Sequence, residues 1–209
     1  MAPRRSAPPT AEQRSATSKR ARTRALVLRT ALECIEAEGL VEATAAKIAQ
    51  RCGLSWGVIQ YHFGDRAGLF LALFDQGFES LARALSELDA PSTGLRDRLA
   101  ALVEGTWSLM ERPGYRALLE VQLQLGRDPS HAPSIQRRGR EMRGQLRELW
   151  RKTLPEYAPP RVDHAERLAT VSLRGMALER AIGGARRAHA RERKTLVETL
   201  DALLRDHHG

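Results

Sequence analysis

A chain of 209 residues with a net charge of +9 has room for one compact domain or two small ones, and its 42% hydrophobic content excludes global disorder. Two cysteines, Cys34 and Cys52, are too few for a disulfide framework, and no apolar run approaches the roughly 18 residues of a membrane-spanning helix. A soluble, cytoplasmic setting is therefore expected, and the basic excess favours an acidic partner, with nucleic acid first.

Residues 1–17 are rich in Pro, Ala, Ser and Arg without apolar periodicity and read as a disordered basic arm. Leu28, Ala31, Leu32 and Ile35 then fall at helical spacing on one face of a first helix, which Gly39 ends. Ala45, Ile48, Ala49 and Cys52 repeat that spacing in a short second helix, with Thr44 as N-cap and Gly53 as its stop. Ser55 is placed to cap a third helix, which breaks at Gly64. Asp65 caps a longer fourth, whose apolar face holds Leu69, Leu73, Phe74, Phe78, Leu81 and Leu85.

A turn at Pro91 to Gly94 separates this part from further helices predicted over 95–110, 115–125 and 133–154. A proline-rich linker at 155–160 precedes two last helices, at about 162–182 and 191–205. Roughly nine helices and no strand make the expected fold all-α. It is expected to comprise a three-helix head at 18–81 and a larger helical domain at 82–209.

Two short helices joined by the tight Gly53-Leu54 turn have the spacing of a helix-turn-helix over 44–63. Ile59 is the inward anchor of its second helix, supported by Leu54 and Phe63. Ser55, Trp56, Gly57, Val58, Gln60, Tyr61 and His62 supply hydrogen-bonding, aromatic and small groups for a face that reads bases. Gln can address adenine bidentately, and aromatic rings can lie against thymine methyls. Gly57 has no core reason inside a short helix, where it costs about 1 kcal/mol relative to Ala; close approach to DNA would supply one. The plainer alternative is a buried Trp56–Tyr61 pair in an ordinary helical hairpin.

The ordered string T-x-x-x-I-A, C-G-L-S, G-V-I-x-Y-H-F and G-D-R-x-G-L, within residues 20–81, resembles the TetR family of bacterial transcriptional regulators. The resemblance implies that Trp56 to His62 enter the major groove and that Thr44 and Arg66 meet phosphates; Lys47 is a further candidate DNA contact. This sequence departs from the family in having Gln60 where Tyr is common and Arg66 where Lys is common. Arg keeps the charge with a different fork geometry, and Gln60 is placed to confer base preference. Upstream, Lys19, Arg20, Arg22 and Arg24 continue the basic run of Arg4, Arg5 and Arg14, opposed only by Glu12. They are expected either to track phosphates or to form a solvated tail.

In the second domain, one stripe of Leu168, Val171, Gly175, Leu178 and Ile182 and another of Leu196, Leu200, Leu203 and Leu204 suit a four-helix dimer interface. Alternatively both stripes bury within one chain. A pocket for a small apolar ligand is expected among Leu102, Val103, Trp107, Met110, Tyr115, Leu118, Gln122, Met142, Leu146 and Trp150, with Leu99 nearby. No cofactor, metal site or catalytic set is expected. The Gly183-Gly184 pair lacks the Lys-Ser of a phosphate loop, and the adjacent His207 and His208 cannot face one ion as i, i+4 ligands do.

The expected function is that of a homodimeric regulator, a repressor that occupies a palindromic operator until a small ligand releases it. Three alternatives remain: an activator of the same fold, a sequence-tolerant DNA coater, and a ligand-binding helical scaffold with a vestigial DNA head.

Overall fold

The computed structural model describes residues 11–88, 94–183 and 189–205, with α1 side chains from Ser18 onward. The arm through residue 10, Pro91, Gly184, His207 and His208 lie outside this range. Within it the chain forms α1 (Ala11–Glu38), α2 (Ala45–Cys52), α3 (Trp56–Phe63), α4 (Arg66–Ser86), α5 (Leu95–Met110), α6 (Tyr115–Leu125), α7 (Ala132–Thr153), α8 (Pro159–Gly183) and α9 (Ala190–Arg205). No strand occurs among the described residues.

Two boundaries differ from the sequence reading. α1 opens at Ala11, inside the stretch expected to be a disordered arm. Residues 11–17 contain no Pro or Gly, and their Ala, Glu, Gln and Arg extend a helix readily once its later turns exist. α8 begins at Pro159, so Pro159 and Pro160 start a helix rather than lengthen a linker. A proline's fixed φ suits the first helical positions, where its missing N–H removes no bond.

The chain divides into two compact units between Leu73 and Phe74, within α4 and eight residues before the expected boundary at Leu81. In the first unit Val27, Leu28, Ala31, Cys34 and Ile35 of α1 are buried, as are Leu40, Ala43, Ile48, Ala49, Ile59, Leu69 and Phe70. α2 and α3, of eight residues each, are too short to stand alone and depend on that shared core.

In the second unit α5 packs most closely on α9, and α7 on α8. Trp107, Trp150, Leu154, Val162, Ala165, Ala169 and Leu173 form one buried cluster with Leu196, Val197, Leu200 and Leu204. This placement corrects the expected dimer stripe on α9. Leu200 is fully buried and Leu196 nearly so, while Leu203 is half-buried against the same core. The i, i+4, i+8 leucines of α9 therefore face their own chain. On α8 the small inward residues Ala165, Ala169 and Ala177 let neighbouring helices approach. Its other face carries Val171, Leu178 and Ile182 at 55%, 44% and 77% exposure. Gly175 lies open on that face, and Leu168 is half-buried against the core.

Candidate nucleic-acid interface

α2 is closed at both ends by its own sequence. The Thr44 hydroxyl accepts a hydrogen bond from the Lys47 amide at 3.3 Å, capping the N-terminus. Gly53, at φ 65°, turns the chain into the left-handed region that glycine adopts without strain. Its amide and that of Leu54 return to the Gln50 and Ala49 carbonyls at 3.1 and 3.0 Å. Ser55 then precedes α3, although its hydroxyl makes no capping bond.

Helical geometry sorts the residues of α3. At 100° per residue Gly57, Gln60 and Tyr61 share one face, with Val58 beside them and Ile59 nearly opposite. Burial follows that wheel: Ile59 is fully buried, Trp56, His62 and Phe63 are half-buried on its flanks, and Gly57, Val58, Gln60 and Tyr61 are exposed. Tyr61 is 72% exposed, which removes the buried Trp56–Tyr61 alternative. A Cβ at Gly57 would meet only the Ser55 hydroxyl, at 3.9 Å, so nothing within the protein requires glycine there. Gly57→Ala is expected to leave the melting temperature unchanged or slightly raised while weakening duplex DNA binding by about tenfold or more. Circular dichroism melting paired with a DNA-retention titration checks this, and equal affinity for both proteins would refute close backbone approach.

The cations divide into exposed ones and ones committed to the fold. Lys19, Arg20 and Arg22 are exposed on α1, and the Arg20 guanidinium lies 5.4 Å from the centre of the Tyr61 ring. Arg24 instead donates to the His62 carbonyl at 2.7 Å and sits 4.4 Å from the centre of the Phe63 ring, pinning the end of α3 to α1. Arg66 donates to the Leu40 and Val41 carbonyls at 2.7 and 3.3 Å and covers Phe70. Lys47 and Arg51 share the Glu38 carboxylate, which these partners, Lys47 first, hold below its ordinary pKa. Thr44, Lys47, Arg24 and Arg66 thus hold the head together, whatever contact they also make with phosphate. Burial, reinforced by Arg20 and Arg24, pushes the His62 imidazole below its ordinary pKa, so α3 presents a neutral ring.

One residue of the G-D-R-x-G-L string has a steric role that the motif alone does not show. Asp65 accepts the Gly68 amide at 2.7 Å, the expected cap of α4. A Cβ at Gly68 would fall 2.1 Å from the Phe63 carbonyl oxygen. Glycine at 68 sets how closely α4 follows α3, a role that the G-D-R-x-G-L spacing marks by residue but does not explain.

In the second unit a mainly apolar cavity of about 80 Å³ adjoins an open cleft of about 630 Å³. Met110, Tyr115, Leu118, Gln122, Met142 and Leu146 line the cavity, six of the ten residues expected there. Leu102, Val103, Trp107 and Trp150 lie instead in the packed core with α8 and α9. Their apolar helical period was real, but period does not distinguish a cavity wall from a filled core. Phe74, Phe78, Leu109, Arg143 and Arg174 are wall residues that the sequence reading missed. Among the described residues no group of three or more His, Cys, Asp or Glu stands together as metal ligands do, and no helix is long and apolar enough to cross a membrane.

Residues 27–73 match the family model described as bacterial regulatory proteins, tetR family. The HTH-type transcriptional regulator BetI of Escherichia coli O157:H7 is 31% identical over 132 residues, covering 60% of this chain and 67% of that relative. BetI of Stenotrophomonas maltophilia is 30% identical over 112 residues, or 53% of this chain, and the match spans only 56% of that relative's length. Among solved structures, a transcriptional regulator from Rhodococcus sp. Rha1 aligns with a TM-score of 0.68 at 18% identity, over 87% of this chain and 95% of that one. At that identity the likeness speaks to the fold alone.

Proposed function

The chain belongs to the TetR family of bacterial regulatory proteins, a family of DNA-binding regulators rather than enzymes, and from that premise we propose that it is a cytoplasmic homodimeric repressor acting on a palindromic operator. The observation that carries the reading is the sorting of α3. Ile59 is buried, whereas Gly57, Val58, Gln60 and Tyr61 face solvent together. A helix held by one anchor and bare on its opposite side suits the major groove. Exposed Lys19, Arg20 and Arg22 add positive charge that phosphates would neutralise.

A palindrome needs two heads, and the open apolar face of α8 supports pairing through Val171, Leu178 and Ile182. The cavity in the second unit supports a small ligand whose binding favours a head spacing that no longer fits DNA. Loss of operator affinity would then equal the ligand's preference for that spacing, as linkage demands.

Selection of bound fragments from a random duplex pool at near-physiological salt, with wild type and Gln60→Ala side by side, tests the reading. The wild type should enrich a palindrome, and the variant should lose about tenfold or more in preference at one base pair of each half-site. Enrichment of no common sequence would replace the repressor with a sequence-tolerant coater, and no retention would leave a ligand-binding scaffold. A reporter placed behind the enriched palindrome should rise when the gene is deleted; a fall would mean activation.

A further inference from the structure

Six arginines stand on α7 after its first turn, and their partners differ by face. Arg138 pairs with Asp75 at 2.7 Å, and Arg147 and Arg151 both reach Asp163. Arg137 pairs with Glu141. Arg140 and Arg143 have no acidic partner within ion-pair distance among the described residues, nor do Arg127 and Arg174. These four cations, none held by a carboxylate, all line the open cleft, and no carboxylate lines it with them; Arg174 also bonds the Tyr115 hydroxyl.

Arg143 and Arg174 are also where the cleft meets the apolar cavity, since both residues line both spaces. Arg174 Nε is buried without a hydrogen-bond partner, and so is the hydroxyl of Thr106 in the cavity wall. Glu166, the nearby buried carboxylate, accepts the Thr170 hydroxyl at 2.8 Å and lines neither space. Converging like charges at the edge of an apolar cavity is unfavourable in the empty protein. Burial, then Arg174 and three further arginines, holds the Arg143 guanidinium below its ordinary pKa. A bound anion would relieve this crowding and accept the unused donors through charge-assisted hydrogen bonds.

We propose that the ligand of this cavity is an amphipathic anion. Its apolar body lies among Phe74, Phe78, Met110 and Leu146, and its carboxylate or phosphate head is held by Arg143 and Arg174. Arg127 and Arg140 draw the head into the cleft from solvent. This rests on the reading of the cavity as the effector site and replaces the expected purely apolar ligand with a charged one.

The test titrates the full chain with octanoate, octyl phosphate, 1-octanol and octyltrimethylammonium, followed by calorimetry. At least one of the two anions should bind about tenfold or more tightly than 1-octanol, and the cation should not bind. Arg143→Gln and Arg174→Gln should each lower anion affinity about tenfold toward that of 1-octanol, while Arg174→Lys retains most of it. Arg143→Gln relieves like-charge crowding, so its melting temperature should not fall. Preference for octanoate or for octyl phosphate would name the head group within the proposal. Equal binding of 1-octanol and the anions, unchanged anion affinity in both Gln variants, or no binding of any octyl compound would overturn it. Fragment selection without any octyl compound reports DNA reading separately, so failure here is distinguishable from failure of the repressor reading.

Discussion

Replacing Gly68 with alanine is expected to cost about 2–3 kcal/mol of stability and to abolish high-affinity DNA binding. The added methyl would stand 2.1 Å from the Phe63 carbonyl oxygen, a backbone atom that cannot rotate aside. Either α3 or α4 must move. The joint between them leaves little slack. Gly64, at φ 83°, turns the chain, its amide bonds the Gln60 carbonyl at 2.7 Å, and Asp65 already caps α4 through the Gly68 amide. A shift of α3 by roughly 1 Å moves Gln60 and Tyr61 away from any base edge they reach, and hydrogen bonds weaken steeply at that scale. The melting temperature should fall by roughly 5–10 °C, on the scale of about 2–4 °C per kcal/mol for a chain of this size. Affinity for the selected palindrome should drop about a hundredfold or more. Gly57→Ala is the control, because it touches the same helix without a clash. A Gly68→Ala protein that melts and binds like wild type would mean that α4 yields freely at its first turn.

The second large effect is expected from paired charges on α8. Leu178→Asp with Ile182→Asp places two carboxylates on the open apolar face while leaving the inward residues Ala169, Leu173 and Ala177 untouched. Folding of the single chain should be little affected, because Leu178 and Ile182 are 44% and 77% exposed in it. If that face joins two copies, burying four unpaired carboxylates there is unfavourable by several kcal/mol, and the protein should sediment as a monomer. A monomer has one head, so it loses the advantage of linked half-sites, and palindrome affinity should fall about a hundredfold or more. Sedimentation velocity at micromolar concentration, with circular dichroism to establish folding, checks this. A folded variant that remains dimeric would move the interface off this face. Leu200→Asp makes the contrast: Leu200 is fully buried within the chain, so that variant should unfold rather than dissociate.

The reading head was legible because its signals are local. Thr44, Gly53, Gly64 and Asp65 act within one helical turn of themselves, and each does in the structure what its chemistry suggests. Ile59 opposite Gln60 and Tyr61 follows from helical period alone. The cavity was half legible, since an apolar period marks an inward face without saying whether space remains beside it.

What the sequence by itself determined is the set of helices, the all-α class and the bare face of α3, since each depends on neighbours a few residues away. The tertiary structure alone decided which cations belong to the fold and which stay exposed. Arg24 meets the His62 carbonyl across 38 positions, Arg66 the Leu40 carbonyl across 26, and Arg138 the Asp75 carboxylate across 63. It also decided that the leucines of α9 face inward while the outer face of α8 stays open, and that four arginines converge without acids. A stripe of leucines has the same period whether its partner is the same chain or another. Only packing chooses between them, because burial depends on which surfaces meet and not on the order in which the residues are written.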